Sequence, residues 1–278
     1  MNRAAWSPGR VALIAGVTLR ELLRQRMPGL LAALAAALAG GAWLLRDFNF
    51  GASELKFLMD AGFGAQAFFG AILAIVAPAH LFFAEVERRT VHLVLARPVR
   101  RAEFIFGQLG GVLLLLLGFC ALLTLLLAGL LWWRETGLMQ THPEAFAQGR
   151  RVPYAGLAWA GLVQWLRLGV LAAITLLVAS YARSSLFAMM AGFSALVICQ
   201  LQHLARDFFG LMESPWARGG AWLLGVMAPD LHLIDVADKV AAGEPVPAGL
   251  IGGVAAYAMV YIGLFAGLAA YCFRHRDL

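Results

Sequence analysis

Ser194, in the run "GFSA", is the first residue that invites a chemical reading. A nucleophilic serine buried in a membrane needs a tight Gly-x-Ser-Gly turn and a histidine from another helix to take its proton. Here the second glycine is missing, and His80 lies near the end of its own apolar run instead of at matching depth. Cys199 and His203 stand one helical turn apart, but two ligands make a poor metal site. Cys120, Cys199 and Cys272 fall in separate apolar runs without C-x-x-C spacing and read as small apolar residues. The chain has two lysines, Lys56 and Lys239, neither in a Gly-Lys-Ser/Thr context, so no phosphate-binding loop of that kind exists. No catalytic residue, metal ligand or bound cofactor is therefore expected. What remains is a dense group of eight charged side chains between Phe82 and Gly111, "FFAEVERRTVHLVLARPVRRAEFIFGQLGG".

The elements that must position this group follow from composition. With 62% apolar and 14% charged residues and a mean hydropathy of +0.78, the chain is far from the soluble average. It reads as an all-α integral membrane protein. Crossing a bilayer takes about 20 mainly apolar residues, and six windows qualify: about 28–45, 61–83, 104–133, 164–182, 185–204 and 248–273. An even number puts both termini on one side. With the termini inside, the inner segments hold thirteen cations and five acids, and the outer ones, Arg167 apart, eight cations and eleven acids. The positive-inside bias thus assigns both termini to the cytoplasm. Trp43, Trp132, Trp133 and Trp165 are expected at the outer boundary, where amphipathic rings belong. The basic balance reads as topology, which leaves no role for nucleic acid.

No cleavable signal peptide is expected, because residues 1–29 carry scattered charges and no long apolar core. Residues 9–27 read instead as an interfacial helix, with Leu19, Leu22 and Leu23 opposing Arg20, Arg24 and Gln25, and Pro28 breaking it from the first span; a simple cytosolic tail is the alternative. Counting back from Arg183 puts Arg167 within a turn of the outer surface, where it is expected to snorkel, with 154–163 as an interfacial lead-in. Residues 205–247 contain "GGAWLLGVMA", too short to cross, and read as a re-entrant or outer-leaflet segment before the last span. The spans contain no carboxylates, the usual mark of an ion-coupled carrier, and no set of polar residues defines a pocket.

On this topology the charged stretch is a cytoplasmic connection, 84–103, between the second and third spans. Glu85, Glu87, Arg88 and Arg89 lead out of the bilayer, "TVHLVLA" forms a short apolar helix, and Pro98 breaks it before Arg100, Arg101 and Glu103. An apolar helix displayed among charges suits a groove on a cytosolic partner. A positive-inside loop resting in the interface is the alternative.

The segment "EVERRTVHLVLARPVRRAEFIFGQLGG" resembles the first cytoplasmic loop of ABC-2 type transporter permeases, and the layout of the chain resembles theirs throughout. Within them it is most similar to the group associated with multi-copper enzyme maturation and nitrous-oxide reductase assembly. The resemblance implies one transmembrane domain over 1–278, with Glu85, Glu87, Arg88, Arg89, Thr90, Val91, Leu93, Val94, Leu95 and Arg97 coupling it to a separate ABC ATPase. Two ATPase copies would use ATP and Mg, and a second permease copy or a related permease would complete the pathway of an exporter in the bacterial cytoplasmic membrane. Membrane lipid, and room for a periplasmic accessory protein, complete the partners implied. Ala32, Ala36 and Gly40 in the first span and Gly263 and Gly267 in the last have the spacing of close helix pairs, at a dimer contact or within one bundle alike. Gln108 departs from the pattern, which carries Lys there, and no Met- or His-rich outer segment is present. The rivals are a self-sufficient carrier or channel and an intramembrane enzyme. Cargo is not legible.

Overall fold

The computed structural model describes residues 6–44, 54–87, 100–141, 152–210, 219, 229–231 and 248–274, a few of them by backbone alone. Among the described residues there are seven helices longer than a single turn and no strand: α1 (Pro8–Arg24), α2 (Arg26–Leu44), α3 (Glu54–Glu87), α4 (Arg101–Thr141), α5 (Tyr154–Tyr181), α6 (Ser185–Gly210) and α7 (Ala248–Arg274). Five, α3 to α7, are long and apolar enough to cross a membrane; the apolar part of α2, Pro28–Gly41, is shorter.

α1 starts at Pro8, whose fixed φ suits a first helical turn, and the Ser7 carbonyl accepts from the amides of Arg10 and Val11. It ends where Gln25 turns extended. Ala15, Thr18 and Leu22 form its buried stripe. α4 runs for 41 residues, roughly 60 Å, about twice the ~30 Å hydrocarbon core. Its far end is fastened by polar groups: Arg134 grips both oxygens of Glu54 on α3, at 2.6 and 3.0 Å, while buried Glu135 accepts from the Val152 amide at 3.2 Å and the Tyr154 hydroxyl at 2.7 Å.

α5 is the central column, buried at every residue from Leu166 to Ile174, with α3, α4, α6 and α7 packed around it. Glycines set the approach. A Cβ on Gly70 of α3 would stand 2.5 Å from Leu168 of α5, one on Gly169 would meet Leu113 of α4 and Ile262 of α7, and one on Gly192 of α6 would meet Ile75 and Thr175 at 2.8 Å. Gly161 presses on Thr124 of α4. Where lipid surrounds a bundle, such close backbone approach supplies much of the attraction between helices.

Three expectations change. The break between the N-terminal helix and α2 falls at Gln25 instead of at Pro28, which a first helical turn tolerates and which lies inside the first turn of α2. Residues 154–163, read as a separate lead-in, continue unbroken into the fourth span, because nothing between Tyr154 and Tyr181 interrupts the helix. Trp165 consequently lies midway along α5 instead of at its outer end, half-buried, and its indole N–H donates to the Leu113 carbonyl at 2.9 Å. Trp132 and Trp133 are exposed on α4, whereas the side chain of Trp43 lies outside the described residues.

Gly161→Val tests the packing argument. Its branched side chain meets Thr124 at the centre of the bundle, and a loss of about 1–3 kcal/mol is expected, read as a lower midpoint in thermal unfolding of the detergent-solubilised protein; an unchanged midpoint would contradict the close approach.

Candidate functional site

At the end of the bundle where α3 stops and α4 begins, one carboxylate ties the start of α1 to the start of α4. Glu103, in the first turn of α4, is fully buried. Its Oε1 accepts from the Ser7 amide at 2.9 Å and from Arg10 Nη2 at 2.8 Å, and its Oε2 accepts from the Arg100 amide at 3.0 Å. Three N–H donors, one of them cationic, favour the ionised form and offset its burial. The connection between α3 and α4 is thereby fixed, at its last residue, to the start of α1.

Glycine extends that attachment along α1. A Cβ on Gly107 would stand 2.6 Å from Ile14 and 3.2 Å from the Val11 carbonyl, and one on Gly111 would strike Thr18 and come within 2.9 Å of the Ala15 carbonyl. Carbonyl oxygens cannot swing aside as side-chain ends do, so α1 lies backbone to backbone on α4 only because these positions are glycine. The "GQLGG" of the sequence motif is thus the bed of α1.

Between the two glycines, Gln108 is fully buried and reaches Glu85 of α3, Nε2 to Oε2, at a long 3.5 Å. Among the described residues its Oε1 is buried without a hydrogen bond. Glu21 of α1 lies near enough to Glu85 for their charges to repel. Opposite, Arg101 Nη1 donates to the carbonyls of Phe273 and Arg274 at 3.1 Å each, closing the end of α7, and its guanidinium stands over the Phe273 ring. Phe273 also stacks on Phe104 and meets Phe82 edge-on.

Of the residues expected to couple to a partner, Glu85 sits in this cluster and Glu87 closes α3. Arg88, Arg89, Thr90, Val91, Leu93, Val94, Leu95 and Arg97 lie outside the described residues. Ala32 and Ala36 pack on the chain's own core, and Ala36 and Gly40 line a gap of about 240 Å³ against α3 and α4. Gly263 and Gly267 occupy an exposed face of α7, with nothing within 4 Å of an added Cβ. In the segment 205–247, the stretch Pro229–Leu231 is buried, with the Asp230 amide donating to the Tyr257 hydroxyl at 2.9 Å.

The spans themselves hold more polar chemistry than the sequence disclosed. Arg167 does not snorkel: it is 9% exposed, midway along α5, and its Nη2 donates to Gln200 Oε1 of α6 at 2.6 Å. Gln66, Thr124, Gln164 and Gln202 are buried as well, Gln66 donating weakly to the Cys120 carbonyl at 3.4 Å and the Thr124 hydroxyl and Gln164 amide nitrogen lacking hydrogen bonds among the described residues. No local signal marks these pairs, since Arg167 and Gln200 meet across 33 residues. Between α3 and α6 opens a groove of about 480 Å³, apolar apart from Gln200. The Ser194 hydroxyl is exposed and donates to the Met190 carbonyl at 3.0 Å. Among the described residues no three His, Cys, Asp or Glu side chains group as metal ligands.

A family model described as ABC-2 family transporter protein matches residues 14–208, most of the chain. Among curated proteins, none matches.

Two substitutions probe the junction. Glu103→Ala removes the acceptor that the Ser7 and Arg100 amides and Arg10 Nη2 share, and a loss of about 1–3 kcal/mol is expected, measured as thermal stability and as faster proteolysis near residue 7. Gln108→Lys sets an ammonium against Glu85; because the position is buried, much of the Coulomb gain is offset by desolvation, and the variant is expected to be more stable than the same lysine combined with Glu85→Gln. Equal stability of the two would place the lysine's partner elsewhere.

Proposed function

Because the chain belongs to the ABC-2 family of transporter proteins, and is accordingly a multi-pass permease, we propose that it is the membrane half of an ATP-driven exporter, working as two permease copies with two separate ATPase chains. In this reading the ATPases bind ATP and Mg, and this chain takes up their motion through residues 88–97. α2 supplies a sixth span, and the charge bias of the loops puts both termini on the cytoplasmic face of the bacterial inner membrane. The junction around Glu103 carries the argument. A push on the 88–97 segment reaches Arg100, which shares the Glu103 carboxylate with Ser7 and Arg10, so α1 and α4 receive it together.

The face formed by α3 and α6 is the candidate lining of the pathway. Phe68, Val197 and Leu201 are half or more exposed there, beside the apolar groove. A second copy facing it would enclose a route with a largely apolar wall. One observation would suit a self-sufficient carrier as well: Arg167 is a buried intramembrane cation, and such groups mark substrate and ion pathways, including those of carriers.

Affinity purification of the tagged protein from mild detergent separates the two readings, comparing wild type with Leu93→Asp/Leu95→Asp. The expected outcome is an ATPase that accompanies the wild type and is lost from a variant that still inserts and folds. An ATPase retained by that variant would move the coupling contact elsewhere, and transport by the purified chain alone in liposomes would establish the carrier.

A further inference from the structure

We propose that the groove between α3 and α6 seats a single-chain amphiphile with one anionic head group, drawn sideways from the bilayer, its head at Gln200 and Arg167 and its chain along the groove. As an assignment of cargo this rests on the permease reading; as a binding site it stands on geometry.

The groove, at about 480 Å³, has the size of small-molecule sites, roughly 300–1,000 Å³. It follows α3 from Gly64 to Ile72, about 12 Å at 1.5 Å per residue. α6 runs the other way, since Gly192 faces Ile75, so Phe193 belongs to the Ile72 end and Gln200 to the Gly64 end. Polarity is therefore confined to one end, and the remainder of the lining is hydrocarbon. That is the outline of an amphiphile.

The sign of the head group follows from Arg167. An arginine side chain carries its positive charge throughout the physiological range, and this one, though not itself part of the lining, is one hydrogen bond from the polar end of the groove, held on Gln200 Oε1 at 2.6 Å. In a low-dielectric surround a unit charge acts strongly over several ångströms. An anion seated at Gln200 is stabilised by it, and a cation is repelled. Access is lateral, because Phe68 and Val197 are more than half exposed on the outer surface of the bundle.

The test uses the full chain in phosphatidylcholine nanodiscs, without ATPase, titrated with fluorescent cis-parinaric acid and with its uncharged methyl ester. Wild type is expected to bind the acid saturably and at least about tenfold more tightly than the ester. Arg167→Gln should bring the acid down to the affinity of the ester, Arg167→Lys should keep the preference, and Val197→Trp, which fills the groove from its open side, should weaken both probes. Equal binding of acid and ester by wild type would overturn the proposal, as would unchanged binding by Val197→Trp, which holds even if Arg167→Gln fails to fold. Displacement of the acid by two-chain phosphatidylglycerol would overturn it too, by making the groove a seat for structural lipid. Because no ATPase is present, failure here leaves the coupling reading intact, and failure of that reading leaves this site standing.

Discussion

Helices surrounded by lipid gain little by hiding apolar side chains from a solvent that is itself apolar, so they must be held by close packing and by polar contacts. The first depends here on a handful of glycines. Gly70, Gly161, Gly169 and Gly192 bring α3, α4, α6 and α7 onto the central α5, and Gly107 and Gly111 bring α1 onto α4. Each sits where a Cβ would overlap a neighbour, and for Gly107 and Gly111 that neighbour includes backbone carbonyl. Remove the close approach and the polar contacts lose their geometry, since Glu103 reaches Ser7 and Arg10 only while α1 lies against α4.

Polar groups are distributed by the same logic. At the two ends of the bundle they are tied into pairs: Arg134 with Glu54, Glu135 with Tyr154, Glu103 with Arg10, Arg101 with the end of α7. These act as clamps. In the middle, by contrast, Thr124 and Gln164 carry buried polar atoms without a hydrogen-bond partner among the described residues, and an unmade hydrogen bond inside a membrane is costly. A chain optimised only for stability would replace them with leucine and valine. Their persistence at the depth of Gln66 and Arg167 fits a transport protein, whose interior must offer polar partners to something other than itself.

How much of this could be read from the sequence depended on the distance over which each feature is encoded. Apolar runs are local, and five of the six spans read from them appear as helices long enough to cross. A helix ahead of the first span was legible from its own leucines and arginines, though the face it buries runs through Ala15, Thr18 and Leu22, with Leu23 exposed. Arg167 was misplaced because the count assumed a span of ordinary length, whereas α5 begins ten residues earlier than that count allowed, at Tyr154. Its partner Gln200 belongs to another helix, and Ser7 and Arg10 lie more than ninety residues from Glu103. Such contacts leave no periodic trace. The Gly107, Gly110 and Gly111 spacing was visible, and matching it to the Ala15 and Thr18 face of the N-terminal helix would have located the bed of α1.

The helices also differ in how completely the chain covers them, and that difference bears on how it works. In the most apolar window of α5, 72% of residues are buried, against 22% in α6 and 28% in α7. α5 is therefore finished by its own bundle, while α6 presents Phe193, Val197, Ile198 and Leu201 outward. In a membrane this exposure carries no penalty, so α6 is free to exchange lipid for another surface at small cost. α3 shares the groove with α6, but it is clamped at one end by Arg134 and joined at the other to the segment that leads to Arg100 and Glu103. On the proposed coupling through residues 88–97, a displacement entering there would act first on α3 and α4, and the groove between α3 and α6 is where a change in spacing would be felt.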